Sequence, residues 1–239
     1  DLDVDSYRRQ IQSLAGEVKN RFAEAMPAVE RVDILRKFLF EENGFHGSRH
    51  DYYNRANSYL NDVLDDREGL PITLSLVFLC LAEQAGIQHV RGLPLPGHFL
   101  VQHAPPDTNA RLIDVFDAGR YLTHTEADEL GSSFAGVPVR SDLMRPATKR
   151  DMLVRLVTNL QAFTERESGA SASLHYSDLL VAIAGDPRTE AAQRVDRARL
   201  RAQSGDITGA REDLTWILEA APAGVDPERI ADMIRRLTP

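Results

Sequence analysis

Two side chains near the middle of the chain have the chemistry of a proton relay. His98 lies in the run Leu95-Pro96-Gly97-His98-Phe99-Leu100-Val101, and Asp114 in Leu112-Ile113-Asp114-Val115-Phe116. An imidazole can take up a proton near neutral pH, and a carboxylate beside it fixes its tautomer and orientation. Both runs read as short strands, whose side chains alternate between two faces. If the strands pair antiparallel with His103 near Arg111, then His98 and Asp114 share a face within hydrogen-bond reach, whereas a slip by one residue separates them. Metal binding is the other chemistry of such residues, with His98, His103, Asp114, Asp117 and His124 as the local supply. Alternation sends His98 and His103 to opposite faces, so no metal site is expected. A histidine that is simply satisfied by its aspartate partner remains an equal reading.

The elements that must position this pair can be read from periodicity. Apolar residues at Ile11, Leu14, Val18 and Phe22, then at Val32, Leu35, Phe38 and Leu39, have the three-and-four spacing of amphipathic helices between about Ser6 and Glu41. Gly44 to Ser48 breaks the pattern, and a short helix is predicted from Tyr52 to Leu64, with Asn57 and Asn61 on one face. The segment Pro71 to Ala85 is apolar almost throughout, opens on Pro71 and is followed by Gly86, the punctuation of a buried helix. Short strands follow at Val90 to Leu93, Phe99 to Gln102 and Leu112 to Phe116, separated by turn residues. They imply a small antiparallel sheet on the central helix. Gly119 to Pro146 reads as loop, and the rest as helix to the C-terminus.

That final helical third contains a weak repeat. Ala198, Gly205, Ala210, Leu214 and Pro222 occupy the small, turn, small, large and terminator positions of a helix-turn-helix unit of about 34 residues. Leu180 and Pro187 stand about one such length before Leu214 and Pro222, as a degenerate earlier copy would. An ordinary helical hairpin fits the same residues.

Composition limits the function classes. With 28 Lys and Arg against 36 Asp and Glu, the 239-residue chain carries a formal charge of -8, which argues against a nucleic-acid backbone as partner. Its single cysteine, Cys80, can form no internal disulfide and belongs to no metal-binding cluster, which points to a reducing, cytoplasmic setting without a cofactor. No run approaches the roughly 20 apolar residues needed to cross a bilayer, so no membrane partner is expected. The absent initiator Met leaves open that a leader or tag has been removed. Oligomeric state is not legible.

Linked runs in the central region carry a resemblance to a known family. Asn57-Ser58-Tyr59-Leu60-Asn61-Asp62-Val63-Leu64, Arg67-Glu68-Gly69-Leu70-Pro71-Ile72-Thr73-Leu74, Pro96-Gly97-His98-Phe99-Leu100 and Ile113-Asp114 together resemble the SirB1 family of bacterial proteins. That family belongs to the transglutaminase-like superfamily and often ends in tetratricopeptide repeats. The resemblance implies an α+β fold with a transglutaminase-like, papain-like core: a central helix, a small antiparallel sheet, N-terminal helices, and C-terminal tetratricopeptide-like helices. It places the domain at 1–145 and the helical segment at 146–239. It further implies that His98 and Asp114 match the base and acid of a catalytic triad, and that the helix N-terminus should carry the nucleophilic cysteine, stabilised there by the partial positive charge of the helix. The matching position is Pro71, which has no nucleophilic atom.

Helix geometry limits the substitutes. Cys80 lies nine residues on, roughly 13 Å along the axis and on the opposite side, as a core thiol would. Thr73 is rotated by roughly 200° from Pro71, and its hydroxyl suits the first turn of the helix. Ser75, one turn deeper on nearly the same face, is the only nearby candidate, and it would need His98 within about 3 Å. Asn57, Asn61, Arg67, Pro71 and Gly97 are the candidate lining of the residual cleft, although Asn57 and Asn61 also suit tying down the Arg67 to Gly69 loop, and Arg67 suits a solvated surface. Trp216, with Leu214, Ile217 and Leu218, suits helix packing. The expectation is a non-catalytic binding or adaptor module with a protein or peptide partner. The alternatives are a hydrolase or acyl-transferase that uses His98 and Asp114 with water or Ser75, and a small-ligand sensor that uses the cleft.

Overall fold

The computed structural model of the chain describes residues 2–106 and 108–237. It divides into two compact units, Asp1–Lys149 and Arg150–Pro239. Unit 1 opens with α1 (Val4–Lys19) and α2 (Ala28–Lys37), the latter continuing into a π-turn over Phe38–Glu42 that buries Phe38, Leu39 and Phe40. A two-residue strand β1 (His46–Gly47) pairs in parallel with β2 (Glu68–Gly69), His46 opposite Glu68 and Gly47 opposite Gly69. Between them stand a 3-10 turn at Arg55–Ser58 and α3 (Leu60–Asp66). The single helix expected from Tyr52 to Leu64 is therefore two pieces. Tyr59 separates them in an extended conformation, so Asn57 and Asn61 do not share a helix face.

The central helix α4 (Pro71–Ala85) is buried on nearly every side, as its largely apolar sequence requires. Pro71 is its first residue and Gly86 ends it with φ at 77°. Around it pack α1, α2 and α3, together with β3 (Val90–Leu95) and β4 (His98–His103) of a four-stranded antiparallel sheet ordered β3-β4-β5-β6. β5 is Arg111–Asp114, and β6, which periodicity missed, is Arg120–Leu122. Alternation divides the sheet's residues between two cores. Val101 and Ile113 join the core around α4, whereas Leu93, Leu95, Leu100, Leu112 and Leu122 form a second core with Ala127.

Ala127 belongs to α5 (His124–Ala135), in the stretch expected to be loop. Its start is fixed by a reciprocal cap. The Glu126 amide donates to Thr123 Oγ1 at 3.2 Å, and the Thr123 amide donates to Glu126 Oε2 at 2.8 Å. Thr-x-x-Glu is a legible helix start, but only weak periodicity follows it.

Unit 2 is helical: α6 (Lys149–Ser168), α7 (Ala170–Ala182), α8 (Pro187–Gln203), α9 (Ile207–Ala220) and α10 (Pro227–Arg236), with α7, α8 and α9 packing in sequence. Ala198, Ala210 and Leu214 are buried between α8 and α9, and Gly205 turns the chain between them at φ 85°. Pro187 is the first residue of α8, whereas Pro222 follows α9, so the two prolines do not occupy equivalent places. No described helix is long and apolar enough to cross a membrane.

Candidate functional site

His98 and Asp114 lie at one end of the sheet. The register pairs His103 with Arg111, Gln102 with Leu112 and Val101 with Ile113, which sets Asp114 diagonally across from His98 on the same face. Their side chains meet, with His98 Nε2 and Asp114 Oδ1 2.9 Å apart, and both are buried, at 7 % and 5 % exposure. Asp114 Oδ1 also accepts the amides of Phe116 at 3.0 Å and Asp117 at 3.2 Å. One oxygen therefore holds both the imidazole and the turn that follows β5. The tautomer that donates Nε2–H to the carboxylate leaves Nδ1 with its lone pair, and no described residue bonds to it.

Gly97 immediately precedes His98. It sits in the β3–β4 turn at φ 65°, and a Cβ there would overlap the Phe134 ring. The start of α4 reaches the same end of the sheet through a chain of contacts. Phe116 stands edge-on to the His98 ring with centroids 6.0 Å apart and fills the space where a Gly47 side chain would be, and Gly47 pairs with Gly69, two residues before Pro71.

The first turn of α4 carries no free nucleophile. Thr73 Oγ1 accepts the Leu70 amide at 2.9 Å and donates to the Asn57 carbonyl at 2.7 Å. Ser75 is wholly enclosed, and its hydroxyl has no hydrogen-bond partner, so it is not hydrogen-bonded to His98. His98 shares its sheet face with Leu100 and the second core, whereas Ser75 is enclosed within α4, whose neighbours Leu74 and Val77 belong to the first. Burial pushes the Cys80 thiol above its ordinary value, which suppresses the thiolate.

The remaining candidate cleft residues are dispersed. Asn57 is buried, and its amide donates to the Asp51 carbonyl at 2.7 Å, so it fixes the loop before it rather than the Arg67 to Gly69 loop. Asn61 donates to the neighbouring Asp62 at 2.5 Å. Arg67, at φ 63°, lies half-buried over the Phe45 ring at 4.6 Å, with Nη1 enclosed and without a partner. The guanidinium is thus partly covered by the stack and not fully solvated. Of the possible metal donors, His103 is fully buried on the other sheet face, and His124 Nδ1 lies 3.2 Å from Ser141 Oγ. No group of three donors is assembled among the described residues.

Apart from Asp117, the residues beside the pair came with no sequence signal. Next to it is an open cleft of about 270 Å³ lined by His46, Gly47, Arg49, His50, Glu68, Phe116, Asp117 and Ala118. Arg49 pairs with Asp117 at 2.5 Å and stacks over Phe116 at 5.7 Å. Polar residues in a loop reveal no partner until the fold supplies one.

Comparison with known proteins gives the chain its family. Residues 5–158 match the transglutaminase-like superfamily. The chain belongs to that superfamily. Among similar proteins, a UPF0162 protein of Xylella fastidiosa (strain 9a5c) is 31% identical over 228 residues, 93% of this chain and 79% of the relative. F-box only protein 21 of Mus musculus is 33% identical over 143 residues, which is 57% of this chain but 22% of the relative. A UPF0162 protein of Haemophilus influenzae is 24% identical over 218 residues, 90% of this chain and 79% of its own. No solved structure gives a significant match. Within that superfamily domain, α4 opens on Pro71, and a hydrogen-bonded histidine and aspartate stand at the end of the sheet.

Proposed function

We propose that the chain is a SirB1-type transglutaminase-like protein that has given up catalysis and acts as a binding or adaptor module. One observation carries the reading: Pro71 is the first residue of α4, where its missing N–H costs nothing and where no reacting atom can be supplied. The enclosed hydroxyl of Ser75 and the bonded hydroxyl of Thr73 offer no replacement. In F-box only protein 21 the similar segment is a fraction of a longer chain, which fits a portable module. The paired helices of unit 2, read as tetratricopeptide-like, supply an extended surface suited to a protein or peptide partner. The hydrolase reading is weaker because it requires His98 to act on water from a position that is 7 % exposed. A sensor for small ligands would instead use the open cleft beside Phe116, and would show ligand-dependent thermal stabilisation.

The Pro71→Cys variant tests the reading. The wild type should show no hydrolysis of peptide amides or esters and no amine transfer to glutamine peptides. In the variant, any reactivity of the introduced thiol toward iodoacetamide above that of Cys80 should be lost when His98→Ala is added. Turnover by the wild type that disappears in His98→Ala would overturn the proposal. So would covalent labelling of Ser75 by a serine-directed phosphonate.

A further inference from the structure

The open cleft and the His98–Asp114 pair adjoin each other, yet the cleft's lining includes Phe116 and not His98. Phe116 touches both, lining the cleft and meeting the His98 ring edge-on at 6.0 Å. We infer that Phe116 is a hinged cover over His98, latched by Arg49, and that the cleft is the side from which His98 becomes reachable when the latch opens. This goes beyond the assignment of the chain as a binding module, and holds whether or not the pair ever does chemistry.

Four independent features place the ring. The Phe116 amide is bonded to Asp114 Oδ1 at 3.0 Å, so the carboxylate that holds His98 also holds the base of the cover. Gly47 leaves room for the ring, since a Cβ there would collide with both its side chain and its carbonyl. Tyr52 meets the ring edge-on at 6.1 Å, and Arg49 lies over it at 5.7 Å. The turn itself is strained, for Ala118 has φ at 51°, a conformation that residues with a side chain rarely adopt.

The latch is the movable part. Arg49 and Asp117 are 61% and 41% exposed, so their pair exchanges with solvent far more readily than the buried bond between His98 and Asp114. Asp117 also receives Arg120 at 3.0 Å, so releasing Arg49 leaves its carboxylate partnered. The cover can therefore lose its latch without leaving a buried charge unpaired.

The chain's own histidines supply the test. Diethylpyrocarbonate acylates an accessible neutral imidazole, and the modified residues are located by mass spectrometry. In the wild type, the exposed His46 and His50 should label fast, and His98 and His103 slowly. Phe116→Ala should raise the His98 rate about tenfold, the scale set by losing aromatic contacts worth one decade in an opening equilibrium, and leave His103 protected. Arg49→Ala should act in the same direction with a smaller factor, and Arg49→Lys should resemble it, because an ammonium cannot stack as a planar guanidinium does. The inference is overturned if His98 labels as fast as His46 in the wild type, or if its rate is unchanged in both Phe116→Ala and Arg49→Ala. A parallel rise at His98 and His103 would also overturn it, since that reports general loosening rather than a cover. Labelling is independent of turnover, so this result and the Pro71→Cys result can fail separately.

Discussion

At the scale of single residues, the two histidines of β4 show how one strand creates opposite chemical fates. His98 meets a carboxylate, whereas His103 is fully enclosed with neither ring nitrogen bonded. Burial lowers the affinity of His103 for a proton, Arg111 and His89 lower it further, and Asp33 opposes them. Asp33 is engaged elsewhere, accepting hydrogen bonds from Arg111 at 3.2 Å and from Tyr121. The linkage has a definite sign. Above the ordinary value of 6.5, His103 is neutral in both folded and unfolded chains, and its contribution to stability is complete. As pH falls through 6.5, the unfolded chain binds the proton first, so stability drops until the lower folded value is passed. His103→Leu should therefore lose less stability than the wild type between pH 7 and pH 5, as read from urea midpoints at the two values. Equal losses in the two proteins would show that His103 is not the source.

At the scale of elements, the site depends on turns more than on strands. The β3–β4 turn works because Gly97 takes φ 65° with the Phe134 ring over it. Gly97→Ala should cost about 2 kcal/mol in a denaturation experiment, from left-handed strain in addition to overlap with the ring. Adding Phe134→Ala should recover the overlap and leave the strain, so a double variant no more stable than Gly97→Ala would contradict this division. The turn after β5 is held differently, by Asp114 accepting two amides ahead of it. The Thr123–Glu126 cap starts the helix that backs the second core, and Glu126 is held down to about 2 by the Thr123 backbone amide first, then Arg120 and the Thr123 hydroxyl. Its stabilising effect is complete above the ordinary value of 4.5 and lost as pH falls toward 2.

At the scale of the whole molecule, each unit has an apolar core of its own, and unit 2 adds a buried charge cluster. Unit 1 has two apolar cores on the faces of its sheet, whereas unit 2 packs Ala198, Ala210, Leu214, Ile217 and Ile230 together and also places a buried carboxylate at the α8–α9 contact. Asp213 is 1% exposed and accepts from Arg194 at 3.0 Å, Arg197 at 2.5 Å and Arg201 at 2.9 Å. Asp213→Ala should leave guanidiniums clustered without their shared acceptor and destabilise unit 2 by about 3–5 kcal/mol. Trp216 is the only tryptophan in the chain and has Arg194 over its ring at 4.2 Å, so its fluorescence reports this unit. A shift below about 1 kcal/mol in its urea transition would mean the cluster behaves as a surface network. The sequence by itself determined the central helix, because an apolar run framed by Pro71 and Gly86 has one stable use, and it determined the shared face of His98 and Asp114 for one stated register. It also determined that Pro71 cannot react. Only the tertiary structure decided that this register is adopted, that the Ser75 hydroxyl is enclosed without a partner, and that Arg67 stacks on Phe45 while Arg49 stacks on Phe116. It also decided that a cleft stops at Phe116. Those facts depend on contacts between residues distant in the chain, whose partners no local periodicity encodes, whereas helix punctuation and strand alternation are properties of neighbours.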